Sequence, residues 1–202
     1  GTGDWSSDVC SYDLRCFGSK DPLMAEYHDK EWGVPTHDES ELFGLILLEG
    51  AQAGLSWRTV LHRREAYREA FAGFDPVAVS RYTPEKLEDL RVNSGIIRNR
   101  LKIASAVKNA KAFLEIQKEF GSFAKYLWAY VDHKPVMNHY KDWSEVPAET
   151  DLSKAISKDL KKRGFSFVGP TIMYAYMQSV GMVNDHRTSC FRHAQILEEY
   201  GE

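Results

Sequence analysis

The segment from Leu42 to Trp57 places a carboxylate in an otherwise apolar helical stripe. Leu42, Leu45 and Ile46 follow the i, i+3, i+4 spacing of one helix face. Glu49 occupies the i+7 position of that face, which predicts that its carboxylate points into a core. Burying an unpaired ionised carboxylate is costly, so two interpretations stay open. Glu49 is either half of a structural ion pair or the polar floor of a pocket for a ligand with hydrogen-bond donors.

The end of the same helix carries Gly54, Leu55 and Trp57. These are a flexible residue, an apolar side chain that we expect to be exposed, and a large aromatic ring. The aromatic ring of Trp57, the apolar side chain of Leu55 and the buried acid Glu49 lie within one short stretch, which indicates a binding site.

Two Cys and two His residues lie in pairs near the two ends of the chain. Cys16 and His28 are spaced C-x11-H, and His186 and Cys190 are spaced H-x3-C. We expect the second pair to share one helix face, and the four side chains together suit a tetrahedral zinc ion. Four protein ligands leave no open position, so this zinc would be structural and would tie the N-terminus to the last helix. The alternative is that all four are ordinary buried residues, and His193 is the competing ligand.

The segment 161–171 joins two predicted helices through a glycine-containing turn preceded by three basic residues. It is similar to a helix-hairpin-helix element that holds one DNA strand by its backbone. Helix N-termini with outward-pointing N–H groups bind phosphate, although many helix pairs turn at glycine without binding a ligand. The candidate DNA-binding residues of this segment are Lys161, Lys162, Arg163, Gly164, Gly169 and Thr171.

The composition of the 202 residues, 43% hydrophobic and 12% aromatic, is typical of a globular protein with a substantial core. No apolar run reaches the ~18 residues of a membrane span, and no signal peptide is visible. Three Cys do not form a disulfide framework, so we expect a cytoplasmic protein without a membrane partner. Basic runs, here at 98–112 and 154–163, are usually solvated helix faces. On a chain with a net charge of -3, two of them also fit a polyanionic partner.

Hydrophobic spacing and cap residues predict an all-α protein of about ten short helices, without a convincing strand. Asp21-Pro22, Asp75-Pro76 and Thr83-Pro84 each mark a helix start, with the first residue as N-cap. Further helices are predicted over 56–71, 95–120, 153–163 and 186–200, and an irregular connector is predicted over 133–150.

Residues 1–14 look foreign to the rest of the chain, because they resemble translated sequencing-adapter DNA and show no usable periodicity. We expect a non-native leader and exclude it, with Cys10, from the fold. Residues 15–202 are predicted to form a single catalytic unit, in which the two termini pack together as a second helical lobe that holds the zinc.

A series of collinear motifs runs from Cys16 to His186. They are Cys16, Asp21-Pro22-Leu23, Tyr27-His28-Asp29, Glu31-Trp32-Gly33-Val34-Pro35, Leu48 to Trp57, Gly95 to Arg100, Lys161 to Phe165, and Val183-Asn184-Asp185-His186. Together they resemble the DNA-3-methyladenine glycosylase I family over about residues 15–193. The resemblance implies an all-α helix-hairpin-helix DNA glycosylase fold, with N- and C-terminal segments tied by a structural zinc.

The resemblance also implies the roles of individual residues. The base-binding residues would be Tyr27, Trp32, Glu49 and Trp57, with Glu49 also the catalytic residue. The wedging residues in DNA would be Gly54 and Leu55, and the zinc ligands would be Cys16, His28, His186 and Cys190. The family usually carries a Trp shortly after the first of these ligands, and this sequence has Phe17 there instead.

These residue types suit removal of a damaged base. The base must leave the stack, an apolar wedge such as Leu55 can enter the gap, and a base stacked on an aromatic ring gains ~1–3 kcal/mol. Methylation at N3 makes adenine a good leaving group, so water can attack while Glu49 recognises the cationic base. We find no Lys placed for Schiff-base chemistry and predict a monofunctional, monomeric enzyme acting on alkylated double-stranded DNA, with free 3-methyladenine as product. The rivals are a non-catalytic damage-recognition module, a zinc hydrolase and a helical interaction domain.

Overall fold

The computed structural model describes residues 15–202, and the predicted leader at 1–14, with Cys10, lies outside the described residues. The α-helices are α1 Pro22–Lys30, α2 Glu39–Gln52, α3 Trp57–Leu61, α4 Arg64–Ala70, α5 Pro76–Ser80, α6 Pro84–Arg91, α7 Arg100–Phe120, α8 Phe123–Trp128, α9 Asp151–Lys162, α10 Pro170–Ser179 and α11 Phe191–Tyr200. Short 3-10 turns lie at Ala72–Phe74, Ala129–Val131 and Trp143–Glu145. The prediction of a helical protein is confirmed.

The predicted helix starts are confirmed where a cap residue precedes a proline. The side chains of Asp21, Asp75 and Thr83 each accept a hydrogen bond from a backbone N–H in the first turn of α1, α5 and α6. Proline at the first helical position costs nothing there, because its missing N–H would have no partner within the helix. These boundaries depend on local chemistry alone.

The longest helix starts later than predicted. α7 begins at Arg100 instead of residue 95, because the Asn99 side chain accepts two backbone hydrogen bonds from the first helical turn. The N–H of Ile97 donates to the hydroxyl of Tyr67 at 3.0 Å. A tertiary contact therefore holds the preceding residues outside the helix.

The predicted helix over 56–71 is two helices. α3 ends at Leu61 and α4 begins at Arg64. Between them, the N–H of Arg63 donates to the carbonyl of Val60 at 3.0 Å, which closes a tight turn. Periodicity alone did not show this break, because the apolar spacing continues through it.

The last helix is shorter than predicted, and the prediction that His186 and Cys190 share one helix face is wrong. α11 begins at Phe191 with Cys190 as its N-cap, so His186 precedes the helix. The N–H of His186 donates to the Asn184 side chain at 3.3 Å, and the N–H of Cys190 donates to the carbonyl of Arg187 at 2.8 Å. A turn, and not a helix, presents both side chains.

The predicted connector at 133–150 contains a short strand. β1 Val136–Met137 pairs in parallel with β2 Val183–Asn184, in the register Val136 to Val183. Two residues are too few to show the alternation that identifies a strand in sequence.

The chain divides into two compact units. In the described residues, the first comprises 15–35, 134–147 and 177–202 and is called here the terminal unit. It contains α1, both strands and α11. Gly181, at φ 79°, lies so close to the backbone of Val34 and Pro35 that an added Cβ would approach within 2.3 Å, so only glycine fits there.

The second unit, 36–133 and 148–176, is called the central unit. It is organised around α7, which packs against α2, α5, α6 and α8. Phe113 stacks on Phe123 at 4.3 Å between ring centroids and meets Phe43 edge-on at 5.3 Å. Each such buried ring stabilises the fold by roughly 1.5–3 kcal/mol. None of the described helices combines the length and apolar character that a bilayer span requires.

Candidate functional site

Four side chains of the terminal unit converge on one point. The ligand atoms of Cys16, His28, His186 and Cys190 all lie within 4.8 Å of one another, and all four residues are buried. Cys190 Sγ lies 3.4 Å from His28 Nε2 and 3.6 Å from His186 Nδ1, which is also 3.6 Å from Cys16 Sγ. The competing residue, His193, instead has its Nε2 2.7 Å from a backbone carbonyl oxygen. The predicted ligand set is therefore brought together in a cluster that can hold a metal ion.

Hydrogen bonds on the far side of each imidazole determine which ring nitrogen faces the cluster. His28 Nδ1 lies 2.7 Å from Oδ1 of Asp29, and the Arg15 guanidinium donates to Oδ2 of the same carboxylate at 2.8 Å. His186 Nε2 lies 2.8 Å from the carbonyl oxygen of Trp32. Such outer bonds orient a metal-binding His and raise its basicity. The role of Asp29 was not predicted from the sequence, although a carboxylate directly after a candidate ligand was a usable signal.

The two thiols differ in their electrostatic surroundings. The hydrogen bond to Cys16 lowers the pKa of Cys190, and His186 and His28 add to this effect. The same bond, together with burial, raises the pKa of Cys16. Two thiolate sulfurs and two imidazole nitrogens are the donor set that zinc prefers, and all four positions come from the protein.

Two of the predicted base-binding residues, Tyr27 and Trp32, are buried in the terminal unit. The ring of Phe17 meets Trp32 edge-on at 5.1 Å and lies 6.4 Å from Tyr27. Trp143 adds a fourth ring, 6.0 Å from Trp32. Phe17 thus belongs to the same aromatic cluster as both predicted residues.

Glu49 lies on α2 in the central unit and is 4% exposed, which confirms the predicted burial. The hydroxyl of the buried Tyr176 donates to the carbonyl of Leu42 on the same helix. Burial raises the pKa of Tyr176 well above its ordinary value, and the negative charges of Glu39 and Glu49 raise it further. The Glu49 carboxylate therefore acts in poorly solvated surroundings, where a cationic or donor-rich ligand interacts with it more strongly than in water.

The loop after α2 presents the predicted wedge. Ala53 is the C-cap, Gly54 has a left-handed backbone at φ 81°, and the Leu55 N–H donates to the carbonyl of Gln52 at 2.6 Å. Leu55 is 41% exposed. Trp57 follows as the first residue of α3. The structure therefore places an apolar side chain at the surface directly after the helix that carries Glu49.

The segment 161–171 forms the predicted turn between α9 and α10. Gly164 has a left-handed backbone at φ 100°, and Phe165 and Val168 are buried, which anchors the turn. The carbonyl of Gly169 accepts the N–H of Met173 at 2.8 Å and starts α10. The predicted DNA-binding residues Lys161, Lys162 and Thr171 are all exposed.

Arg163 differs from the two lysines before it. Its guanidinium is 2.7 Å from a carboxylate oxygen of Asp159 and 2.7 Å from one of Glu119, and it lies over the rings of Phe120 and Tyr126. The two carboxylates raise the pKa of Arg163 and balance its charge. Within the turn, Lys161 and Lys162 are therefore the stronger candidates for phosphate contact.

Comparison with known proteins gives a consistent result. The profile of a family described as methyladenine glycosylase matches residues 17–193. The chain is 52% identical to the DNA-3-methyladenine glycosylase of Haemophilus influenzae over 83% of this chain and 91% of that protein. It is 49% identical to DNA-3-methyladenine glycosylase 1 of Escherichia coli, over 87% and 95% respectively. A solved structure that describes 3-methyladenine recognition by 3-methyladenine DNA glycosylase I from Staphylococcus aureus matches with a TM-score of 0.86 at 38% identity, covering 90% of this chain and 96% of that one.

Proposed function

The chain belongs to the methyladenine glycosylase family, and we propose that it is a base-excision repair enzyme that hydrolytically releases 3-methyladenine from alkylated double-stranded DNA. The observation that carries the proposal is the buried Glu49 on a helix whose next loop exposes Leu55. An acid in apolar surroundings and an apolar wedge are what base extraction and recognition require.

We assign Glu49 to recognition first and to electrostatic help second. Its carboxylate accepts a hydrogen bond from the exocyclic amine and favours the positive charge of 3-methyladenine over neutral adenine. Water attacks C1′ and the bond from C1′ to the base breaks. The cationic base takes the bonding electrons and leaves as neutral 3-methyladenine, and the attacking water loses one proton to solvent, which leaves a hydroxyl on C1′. Tyr27, Trp32 and Trp57 are proposed to bind the base, because a base can stack on an aromatic ring.

Contacts with the DNA backbone are proposed at the turn between α9 and α10. Lys161 and Lys162 supply positive charge, and Gly164, Gly169 and Thr171 supply a turn and helix N-terminus whose N–H groups suit phosphate. Gly54 and Leu55 are proposed to enter the space that the extracted nucleotide leaves. Arg163 is proposed to support this turn through its ion pairs, and its predicted phosphate contact is secondary.

We propose that the buried cluster of Cys16, His28, His186 and Cys190 holds a structural Zn²⁺. Two sulfurs and two nitrogens fit a tetrahedral ion, and a closed ligand set gives it no position for water or substrate. Asp29 and the carbonyl of Trp32 support the proposal, because they orient both imidazoles toward the cluster centre.

The test is incubation with methylated duplex DNA and identification of the freed base by liquid chromatography and mass spectrometry. We expect 3-methyladenine in the soluble fraction and intact strands carrying abasic sites, above the release seen without protein. A non-catalytic recognition module would retard the DNA without releasing base. Strand breaks formed without alkali or heat would contradict a monofunctional reaction.

Residues 15–202 are proposed to act as one catalytic unit, as a monomer, in the cytoplasm where chromosomal DNA is the substrate. The leader at 1–14 is proposed to be non-native, and removing it should leave release of 3-methyladenine unchanged.

A further inference from the structure

Lys102 joins the first turn of α7 to the end of α2. Its Nζ donates to the carbonyl oxygen of Ala51 at 3.0 Å and to that of Ala53 at 2.8 Å. The last carbonyls of a helix have no partners within the helix, and a cation suits them. Burial lowers the pKa of Lys102 below its ordinary value. Lys102 thus holds the backbone directly before Gly54 and Leu55.

Asn109 makes a comparable connection to a different loop. Its Nδ2 donates to the carbonyl of Ser166 at 3.0 Å, and its Oδ1 accepts the N–H of Ser166 at 2.8 Å. Asn109 is 2% exposed, and both bonds are partly buried. A buried amide that pairs with both backbone groups of one residue fixes the turn between α9 and α10.

Positions 102 and 109 lie on the same face of α7, two helical turns and roughly 10 Å apart. Both side chains line one small cavity of about 20 Å³, together with Ala51, Ser105 and Phe167. This space holds about one water molecule and no base. The rigid helix between the two residues therefore sets the distance between the loop of Leu55 and the turn at 164–169.

We propose that Lys102 and Asn109 are positioning residues for DNA, which hold the wedge and the phosphate-contacting turn at a fixed spacing. The proposal rests on the proposed function, since it assigns DNA contacts to both loops. A duplex has a fixed distance between a flipped nucleotide and its neighbouring phosphates, so both loops engage together only when their separation matches it. A displacement of about 1 Å can cost ~100-fold in rate.

The first test is Lys102→Met, which keeps the apolar stem and removes both hydrogen bonds. We expect excision of 3-methyladenine from DNA to fall roughly 10- to 100-fold. Binding of free 3-methyladenine should stay within about twofold, because no base-binding residue has changed. The fluorescence rise of 2-aminopurine beside the lesion, which reports base extrusion, should be lost. Lys102→Arg, which can still donate to both carbonyls, should restore most of the excision.

The matched control is Lys118→Met, the same substitution at an exposed position of α7. It should resemble the unsubstituted protein in all three measurements. Excision by Lys102→Met within about twofold of the unsubstituted protein would overturn the proposal. A parallel loss of excision, free-base binding and thermal stability would also overturn it, because it would show a general structural role. If Lys102→Met does not fold, Asn109→Ala is measured by the same criteria.

A double variant separates positioning from loss of charge. If Lys102 acts through Leu55, then Lys102→Met with Leu55→Ala should excise no more slowly than Leu55→Ala alone, whereas independent roles would multiply the two losses and overturn the proposal. The salt dependence of DNA binding should keep its slope, because a direct phosphate contact would change it by about one. In the same excision assay, the unsubstituted protein tests the proposed function itself. Its failure to release 3-methyladenine would count against that function, whereas an active protein with an unaffected Lys102→Met would count against the positioning role alone.

Discussion

At the scale of single residues, a buried carboxylate such as Glu49 affects stability and ligand binding in opposite directions. Burial of the charge costs free energy in the empty protein, and the same burial strengthens its attraction for a cationic base. The charge of Glu49 also acts on Tyr176 in the central unit, because it contributes, after burial, to the raised pKa of the Tyr176 hydroxyl. We therefore expect binding and stability to separate when this charge is removed.

Glu49→Gln preserves the shape of the side chain and removes its charge. A hydrogen bond to a charged group contributes ~1.5–3 kcal/mol, so free 3-methyladenine should bind roughly 10- to 150-fold more weakly. Isothermal titration calorimetry measures the affinity, and thermal unfolding should show no loss of stability. Glu41→Gln, at an exposed position of the same helix, is the control and should bind normally. Equal affinity in both variants would remove Glu49 from the pocket.

Asp29 orients one of the four side chains of the Cys and His cluster, because its carboxylate lies 2.7 Å from His28 Nδ1. Asp29→Asn weakens the bond that orients His28 and should lower metal affinity ~10- to 100-fold, as loss of an outer partner does at other sites. Competition with a chromophoric chelator measures the affinity. Asp132→Asn, in the central unit, is the matched control. Unchanged affinity would mean that the His28 ring is held by packing alone.

At the scale of elements, helix starts were predicted where the signal is local and missed where it is tertiary. Asp21-Pro22 and Thr83-Pro84 carry both the cap and the first helical residue, so the sequence alone located α1 and α6. The residues before α7 are held outside the helix by Tyr67, whose hydroxyl accepts the N–H of Ile97, thirty residues later in the chain. Likewise, the turn from His186 to Cys190 depends on Asn184, whose side chain accepts the N–H of His186 and also donates to the sulfur of Met137, 47 residues earlier. No periodicity encodes such contacts.

Asp38 is the N-cap of α2, and its carboxylate stabilises the start of that helix. Hydrogen bonds from the Ser40 side chain and the Glu41 N–H lower the pKa of Asp38. A lowered pKa means that the ionised cap stabilises the fold above about pH 4 and that this stability is lost as pH falls through the folded-state pKa. Asp38→Ala should cost ~1 kcal/mol at pH 7 and less at pH 3, measured by urea unfolding. Asp38→Asn keeps a capping side chain, so its cost at pH 7 should be smaller than that of Asp38→Ala. Because it also lacks the titrating carboxyl, its cost should likewise shrink towards pH 3. An equal cost of Asp38→Ala at both pH values would contradict this role.

At the scale of the whole molecule, the sequence located more of the Cys and His cluster than of the two connections that α7 makes to neighbouring loops. Cys and His at both ends of the chain have few other reasons to occur in pairs, so their types alone suggested a shared site. Lys102 and Asn109 gave no such signal, because each binds backbone groups, which every residue has. Their contribution depends on the packing of α7 and is visible only in three dimensions.

Removal of the proposed zinc ion should lower the stability of the protein as a whole. Cys190→Ser, or a strong chelator, should lower the melting temperature and release about one equivalent of zinc, since binding free energy of a structural ion contributes directly to folding. Mass spectrometry of the metal content and calorimetry measure both effects. Cys10→Ser, which changes a Cys outside the described residues, should keep the metal and the melting temperature. Loss of base release with unchanged melting would contradict a structural ion.

The terminal unit is assembled from three separated stretches of the chain, and this has a consequence for biosynthesis. Cys190 and His28 lie 162 residues apart. At ordinary translation speeds the ribosome needs on the order of 10–30 s to make that interval. Cys16 and His28 therefore remain without their two C-terminal partners while the central unit is synthesised. We therefore expect capture of the proposed Zn²⁺ to be the last step of folding, and zinc-depleted cells to accumulate chains whose terminal unit is not yet assembled.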